Sequence, residues 1–352
     1  MSKESQYHTY QEIYGLPETI ERTFERFSRG DRLEPYVKAV RQAERILLTA
    51  CGSSLHLSQS VTFVFQKMLR KRCVAVPASE FLLYPEVWLQ AEKTLMAALS
   101  RTGETPETNR ALETARQYLP TLETLSVTCY PESRMGSDPA GLKVLFPEAQ
   151  EQSVVMTRAF GCILFWFYLL ADRTAGAASG WAQHIARDIR TAIDRNAPLL
   201  QRWGQDESVK RIFFLGSGPF LGLAYESALK VKEMCAMHAE GYQTYEFRHG
   251  PKALLNESSL VFLYSSPEDG PYLKEIITEF RTLGARVILV GQELKPALAD
   301  AATEAITFSS LLPTLYLPLL YVHLPQLLAF HRAIHFGLNP DQPKNLTKVT
   351  SI

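Results

Sequence analysis

Two segments of this chain follow one plan, and that repetition limits the fold more than any single motif does. ILLTA (Ile46–Ala50) is a short apolar run that passes into CGSS and then into an apolar, helix-like stretch toward Leu69. RIFFLGSG (Arg211–Gly218) is a second such run; it ends in glycines and passes into a helix-like stretch through Glu233. Apolar runs of this length, bounded by glycine, read as strands buried on both faces. Each is followed at nearly the same distance by a strand ending in serine. Gly52 to Ser100 is 48 positions and Gly218 to Ser265 is 47.

Further strands are expected in RCVAVPASEF, around Leu95–Ser100, and in LSVTC, LVFLYSS and RVILVG. Helices are expected over 7–45, from Pro106 to Tyr118, and over 179–202. Strands alternating with helices predict the α/β class: two tandem domains, each a parallel sheet flanked by helices. The expected organisation is a helical segment 1–45, a first domain 46–180, a second domain 205–335 and a tail 336–352.

With 352 residues the chain can form about two domains with sizeable cores. Lys+Arg and Asp+Glu both number 37, so no net charge favours nucleic acid or an anionic membrane. The most apolar stretch, AFGCILFWFYLLA (Ala159–Ala171), is 13 residues long, short of the ~20 that span a bilayer. It reads as a core helix. The five cysteines are odd in number and scattered, with no Cys/His ligand spacing. They predict reduced thiols and a cytoplasmic location.

Ligands of open α/β sheets sit beyond the carboxyl ends of the strands. Both CGSS and SRTGET (Ser100–Thr105) lie at that edge of the first sheet. Their hydroxyls and amides, with Arg101 as a charged donor and the N-terminus of a helix at Pro106, describe a phosphate cradle. The plainer reading is that Ser and Thr merely cap the next helix. The matching loop of the second half, SSPEDG, carries Glu268 and Asp269, which would repel phosphate.

In the helix after Gly218, Glu226, Lys230 and Glu233 are spaced i, i+4, i+7 and share one face. The plainer reading is a surface salt bridge worth ~0.3–0.5 kcal/mol. The apolar neighbours Ala228, Leu229, Val231 and Met234 instead predict a buried helix, where charges need partners. His249 in FRHGP is expected in a loop, suited to proton transfer. His238 is expected to be a core histidine. His323, His331 and His335 show no metal-ligand spacing.

The residues together resemble the SIS (sugar isomerase) domain family, most closely the isomerase half of the glucosamine-6-phosphate synthases (glutamine–fructose-6-phosphate aminotransferases). The likeness runs through YQEIYGLPETI, CGSS, ASEF, SRTGET, ESALKVKE, HAEGY, RHGPKAL and the tail DQPKNLTKVT (Asp341–Thr350). It implies flavodoxin-like domains. Ser53, Ser54, Ser100, Arg101, Thr102 and Thr105 are implied as substrate ligands at the phosphate, with Arg101 where the synthases usually have glutamine. Val154 and Thr347 are implied as backbone contacts to the sugar. Glu233 is implied as the base moving a proton between C1 and C2, and His249 as an aid to ring opening, contributed across a homodimer interface. Lys230 and Lys348 are implied as cations near the sugar carbonyl or its imine; no metal is implied, and no cofactor is expected.

Met156 stands where the family usually has serine, and Arg158 where lysine is usual, so substrate choice is expected to differ. The chain enters the isomerase-like half almost at once, so ammonia release from glutamine is not expected of it. The expected activity is isomerisation or deamination of an amino-sugar or N-substituted ketose 6-phosphate. Two alternatives stand beside it: a deglycase of a phosphorylated Amadori compound, and a non-catalytic sugar-phosphate sensor.

Overall fold

The computed structural model describes residues 3–90, 93–269 and 272–350. The chain forms two compact units. The first comprises residues 14–186 together with the tail from Asn345. The second comprises the N-terminal residues to Ile13 together with 187–344. The expected N-terminal helical segment is therefore divided, as helix His8–Tyr14 ends where the first unit begins.

In the first unit, strands β1 Arg45–Ala50, β2 Arg72–Pro77, β3 Thr94–Leu99, β4 Glu123–Thr128 and β5 Leu142–Leu145 form one sheet in the order β2-β1-β3-β4-β5. Every pairing is parallel. In the second unit, β6 Arg211–Gly216, β7 Ala239–Tyr242, β8 Ser259–Tyr264, β9 Arg286–Gln292 and β10 Glu304–Phe308 form a sheet in the order β10-β9-β8-β6-β7, again wholly parallel. Renumbered from its own first strand, this is the same 2-1-3-4-5 order. The two halves therefore share the flavodoxin-like topology.

The central strands β3 and β8 are largely apolar because both faces are covered. β3 and β8 are buried at every residue. The ASEF end of the expected second strand is instead the start of a helix, Ala78–Leu83. Helix Arg158–Ala175 is buried without a break from Ala159 to Asp172. Phe165, Trp166 and Phe167 within it are each at most 1% exposed, and each contributes ~1.5–3 kcal/mol on burial. Its one buried acid, Asp172, accepts a hydrogen bond from Trp181 Nε1 at 2.7 Å. Among the described residues no helix is long and apolar enough to cross a membrane.

Candidate active site

The strand order of the first sheet reverses between β1 and β3, and such a switch point opens a crevice at the carboxyl edge. The two loops expected to bind phosphate leave these two strands. After β1, Gly52 adopts φ 54° and ψ −131°, a region that glycine alone enters readily, and it turns the chain into helix Ser53–Leu69. Ser53 and Ser54 are buried at that helix N-terminus, with Ser54 Oγ 3.9 Å from Met156 Sδ.

After β3, the SRTGET loop folds onto Ser100. The Ser100 and Thr105 hydroxyl oxygens lie 2.8 Å apart, and Thr102 Oγ1 is 3.5 Å from Ser100 Oγ. Gly103 N donates to Ser100 Oγ, and Glu104 N donates to Thr102 Oγ1. Asn109 Nδ2 ties the loop carbonyls of Gly103 and Thr105. Thr105 is the N-cap of helix Pro106–Tyr118 but makes no capping bond with its side chain. Its hydroxyl faces Ser100 instead, so helix capping does not explain this cluster. Gly103 sits at φ +71°, and a Cβ there would stand 1.9 Å from Ser133 Oγ, so any other residue must displace Ser133.

Arg101 differs from expectation. Its guanidinium is buried, donating to Glu151 Oε2 at 3.0 Å and to the Ser153 and Val154 carbonyls at 3.4 and 2.8 Å. The charged donor expected in the cradle is thus committed to a carboxylate, and the Val154 carbonyl, an expected sugar contact, already has a donor. The other carboxylate oxygen of Glu151 accepts from Thr157 N, Thr157 Oγ1 and Ala159 N. Glu151 therefore serves as the anion at the N-terminus of the Arg158–Ala175 helix. Sequence reasoning missed it. The available signal was a lone acid just ahead of a long apolar helix.

The tail returns to this unit. Lys348 Nζ donates to Tyr130 Oη at 3.1 Å and to the Glu151 carbonyl, and it lies 5.3 Å from the Tyr130 ring centre. Thr347 is exposed, and its hydroxyl donates to the Val349 carbonyl. Arg158 bonds the Gln150 carbonyl.

In the second unit, helix Phe220–Cys235 packs on β6 and β7 and on helix His323–His335. Phe220 stacks on Tyr321 at 5.8 Å, and Ser227 Oγ lies 2.9 Å from Tyr264 Oη. This packing buries the charged face. Lys230 Nζ lies 3.2 Å from Glu226 Oε1 and 2.5 Å from Glu233 Oε2, with Glu226 and Lys230 wholly buried and Glu233 20% exposed. Burial alone would lower the Lys230 pKa, but the charges of Glu226 and Glu233 outweigh it and raise the value. Lys230 is thus held as a cation. Of the three, Glu233 alone keeps a carboxylate partly open to solvent.

His249 is exposed at the end of a short turn, Glu246–Arg248. His238, expected in the core, is also exposed. At the second sheet's own switch point, between β6 and β8, the chain supplies its own anion. Asp269 Oδ2 accepts from Ser266 N at 2.6 Å, and the Ser217 side chain bonds it too. Burial raises the Asp269 pKa. Among the described residues no cluster of His, Cys, Asp and Glu could hold a metal.

The SIS domain profile matches residues 39–173 and 207–335. A glutamine–fructose-6-phosphate aminotransferase of Methanothermobacter thermautotrophicus is 31% identical over 97% of this chain. The match covers 57% of that protein, so the chain spans little more than half the length of such relatives. A Streptomyces coelicolor protein, AgaS, provisionally named a D-galactosamine-6-phosphate deaminase, is 31% identical over 97% of this chain and 92% of its own. Glucosamine-6-phosphate deaminase from Thermotoga maritima superposes with a TM-score of 0.80 at 27% identity, over 98% of this chain and 100% of that one. Tagatose-6-phosphate ketose/aldose isomerase from Escherichia coli shares the fold, with a TM-score of 0.88 at 24% identity over 98% and 97%. With two domain matches that cover most of the chain, the protein belongs to the SIS family of sugar-phosphate isomerases and deaminases.

Proposed function

We propose that the protein deaminates a hexosamine 6-phosphate. The observation that carries this reading is the SRTGET loop, whose three hydroxyls gather around Ser100 at a switch point, with helix N-termini after both β1 and β3. Fixed donors of this kind suit a phosphate ester. Ser53, Ser54, Ser100, Thr102 and Thr105 bind the ester, and the Arg101 side chain shapes the cradle from beneath. Two relatives that the chain covers almost end to end, at 31% and 27% identity, carry deaminase names, which supports loss of the amine over its installation.

Glu233 is the base. It removes the proton at C2 of the open-chain amino sugar and returns it to C1 through an enolamine; water then adds to the resulting imine carbon and ammonia leaves. Lys348 supplies positive charge where the oxygen or nitrogen charge develops, and the buried Lys230, paired with both glutamates, holds Glu233 in place. His249 assists ring opening and comes from the partner of a homodimer, a role that suits an exposed loop histidine. Phosphate anchoring away from the reacting carbons supplies binding energy for orientation.

The test is incubation with glucosamine 6-phosphate and galactosamine 6-phosphate in D2O, followed by NMR and an ammonia assay. Ammonia release with deuterium at C1 of the ketose phosphate is the expected result. Tight binding with neither exchange nor ammonia would make the protein a sensor and overturn the reading.

A further inference from the structure

Along residues 344–350 the chain is exposed at every position except one. Lys344, Asn345, Leu346, Thr347, Val349 and Thr350 face solvent, and Lys348 is half-buried. The tail therefore rests on the first unit through this side chain. Its seat is Tyr130. The phenol donates to the Glu151 carbonyl at 2.7 Å and accepts from Glu151 N at 3.2 Å and from Lys348 Nζ at 3.1 Å. One donor and two acceptor sites are all that a phenol has, so Tyr130 is fully engaged and its ring is fixed beneath the ammonium. A cation placed over an aromatic face is stabilised without being neutralised.

The chemistry of the seat matters. Glu151 lies beside it, and a carboxylate there would pair with Lys348 and cancel its charge. Arg101 takes that carboxylate at 3.0 Å, and Thr157 and Ala159 take its other oxygen. Lys348 is left with the carbonyl of the same residue, a neutral acceptor. Among the described residues two of its three N–H donors are engaged, both by uncharged oxygens, which leaves one donor for an anion.

We propose that Tyr130 is the positioning residue that seats Lys348 and thereby holds the tail, with its positive charge intact, on the unit that carries the SRTGET loop. The use of that charge on a sugar phosphate rests on the proposed function; the seat itself does not.

Trypsin tests the seat on the full chain, because a lysine held against Tyr130 cannot enter the protease pocket. Exposed Lys344 is the internal control. Initial cleavage after Lys348 should be slower than after Lys344 in the unaltered protein. In Tyr130→Leu it should rise about tenfold, the loss expected for one cation–π contact and one hydrogen bond, with cleavage after Lys344 unchanged. Tyr130→Phe keeps the ring and should fall between the two; it carries the test if the leucine variant does not fold.

On turnover of a hexosamine 6-phosphate, Tyr130→Leu and Lys348→Met should each lower kcat more than they raise KM. The double variant should be no slower than Lys348→Met. Equal cleavage after Lys344 and Lys348 in the unaltered protein, an unchanged cleavage ratio in the Tyr130 variants, or multiplying kcat losses would overturn the proposal. If the unaltered protein turns over no sugar phosphate, the functional reading fails and the cleavage ratio still decides the seat.

Discussion

Lys230 Nζ lies 3.2 Å from Glu226 Oε1, and neither side chain has any exposed surface. A buried pair of this kind adds little over an apolar pair of the same volume, yet removing one member leaves a charge without its counter-ion. Lys230→Met should lower unfolding free energy by about 3–5 kcal/mol in urea titrations. Lys230→Met with Glu226→Leu should recover most of that loss without recovering turnover. Equal stability of the single and double variants would show that the pair is not the source of the cost.

Glu233 keeps its carboxylate partly open while bonded to Lys230. Glu233→Gln preserves shape and removes the proton acceptor. Turnover of hexosamine 6-phosphate should fall by about 10²–10⁴-fold, with the dissociation constant changed by no more than a few-fold in calorimetry. Wild-type rates in this variant would remove Glu233 from the mechanism.

Gly103→Ala and Gly176→Ala place the same methyl group at φ +71° in different surroundings. The first meets Ser133 Oγ at 1.9 Å and the second meets nothing within 4 Å. Gly176→Ala should cost about 1 kcal/mol from backbone strain alone. Gly103→Ala should cost at least twice that, and it should weaken inorganic phosphate binding about tenfold or more by displacing the Ser100 loop. Unaltered phosphate affinity in Gly103→Ala would separate the loop from the ligand.

Burial depresses the pKa of two histidines in the second unit, His323 to about 3 and His331 to about 4. Both are neutral when folded and ordinary, near 6.5, when unfolded. The unfolded chain therefore takes up protons first. Stability is full above pH 6.5 and falls as the pH drops toward 4. Between pH 6.5 and 5, ahead of most carboxylates, the loss should be about 2 kcal/mol per histidine. His331→Leu should flatten the curve by about half in chemical denaturation across that range. Glu4, 3.5 Å from His331 Nδ1, would offset part of the loss by pairing with the protonated ring. A slope unaffected by the substitution would assign the acid sensitivity elsewhere.

Much of the fold was readable because most of its central strands carry an unbroken apolar run. The runs at Ile46–Ala50, Arg211–Gly216 and Arg286–Gly291 announce themselves. The strands that escaped notice, β5, β7 and β10, all lie at sheet edges. LKVL, AEGY and EAITF mix polar and apolar residues because only part of each is covered. The hydroxyl cluster around Ser100 was readable for a different reason: hydroxyls and glycine crowd into six consecutive residues. The Arg101–Glu151 pair and the Tyr130 seat were not. Their partners lie 50 and 218 positions apart in sequence, and nothing local marks an arginine as facing inward. His238 failed for a related reason, since an apolar-looking neighbourhood does not fix which way a ring points at a strand's mouth.

The Asp269 carboxylate, folded back on Ser266 N at the second switch point, has a further consequence. A copy of the fold that keeps its own negative group in place leaves no room for a visiting one. Under the proposed function, titration with a phosphate ester should therefore saturate at one equivalent per polypeptide. The second sheet instead supports the helix that carries Glu233.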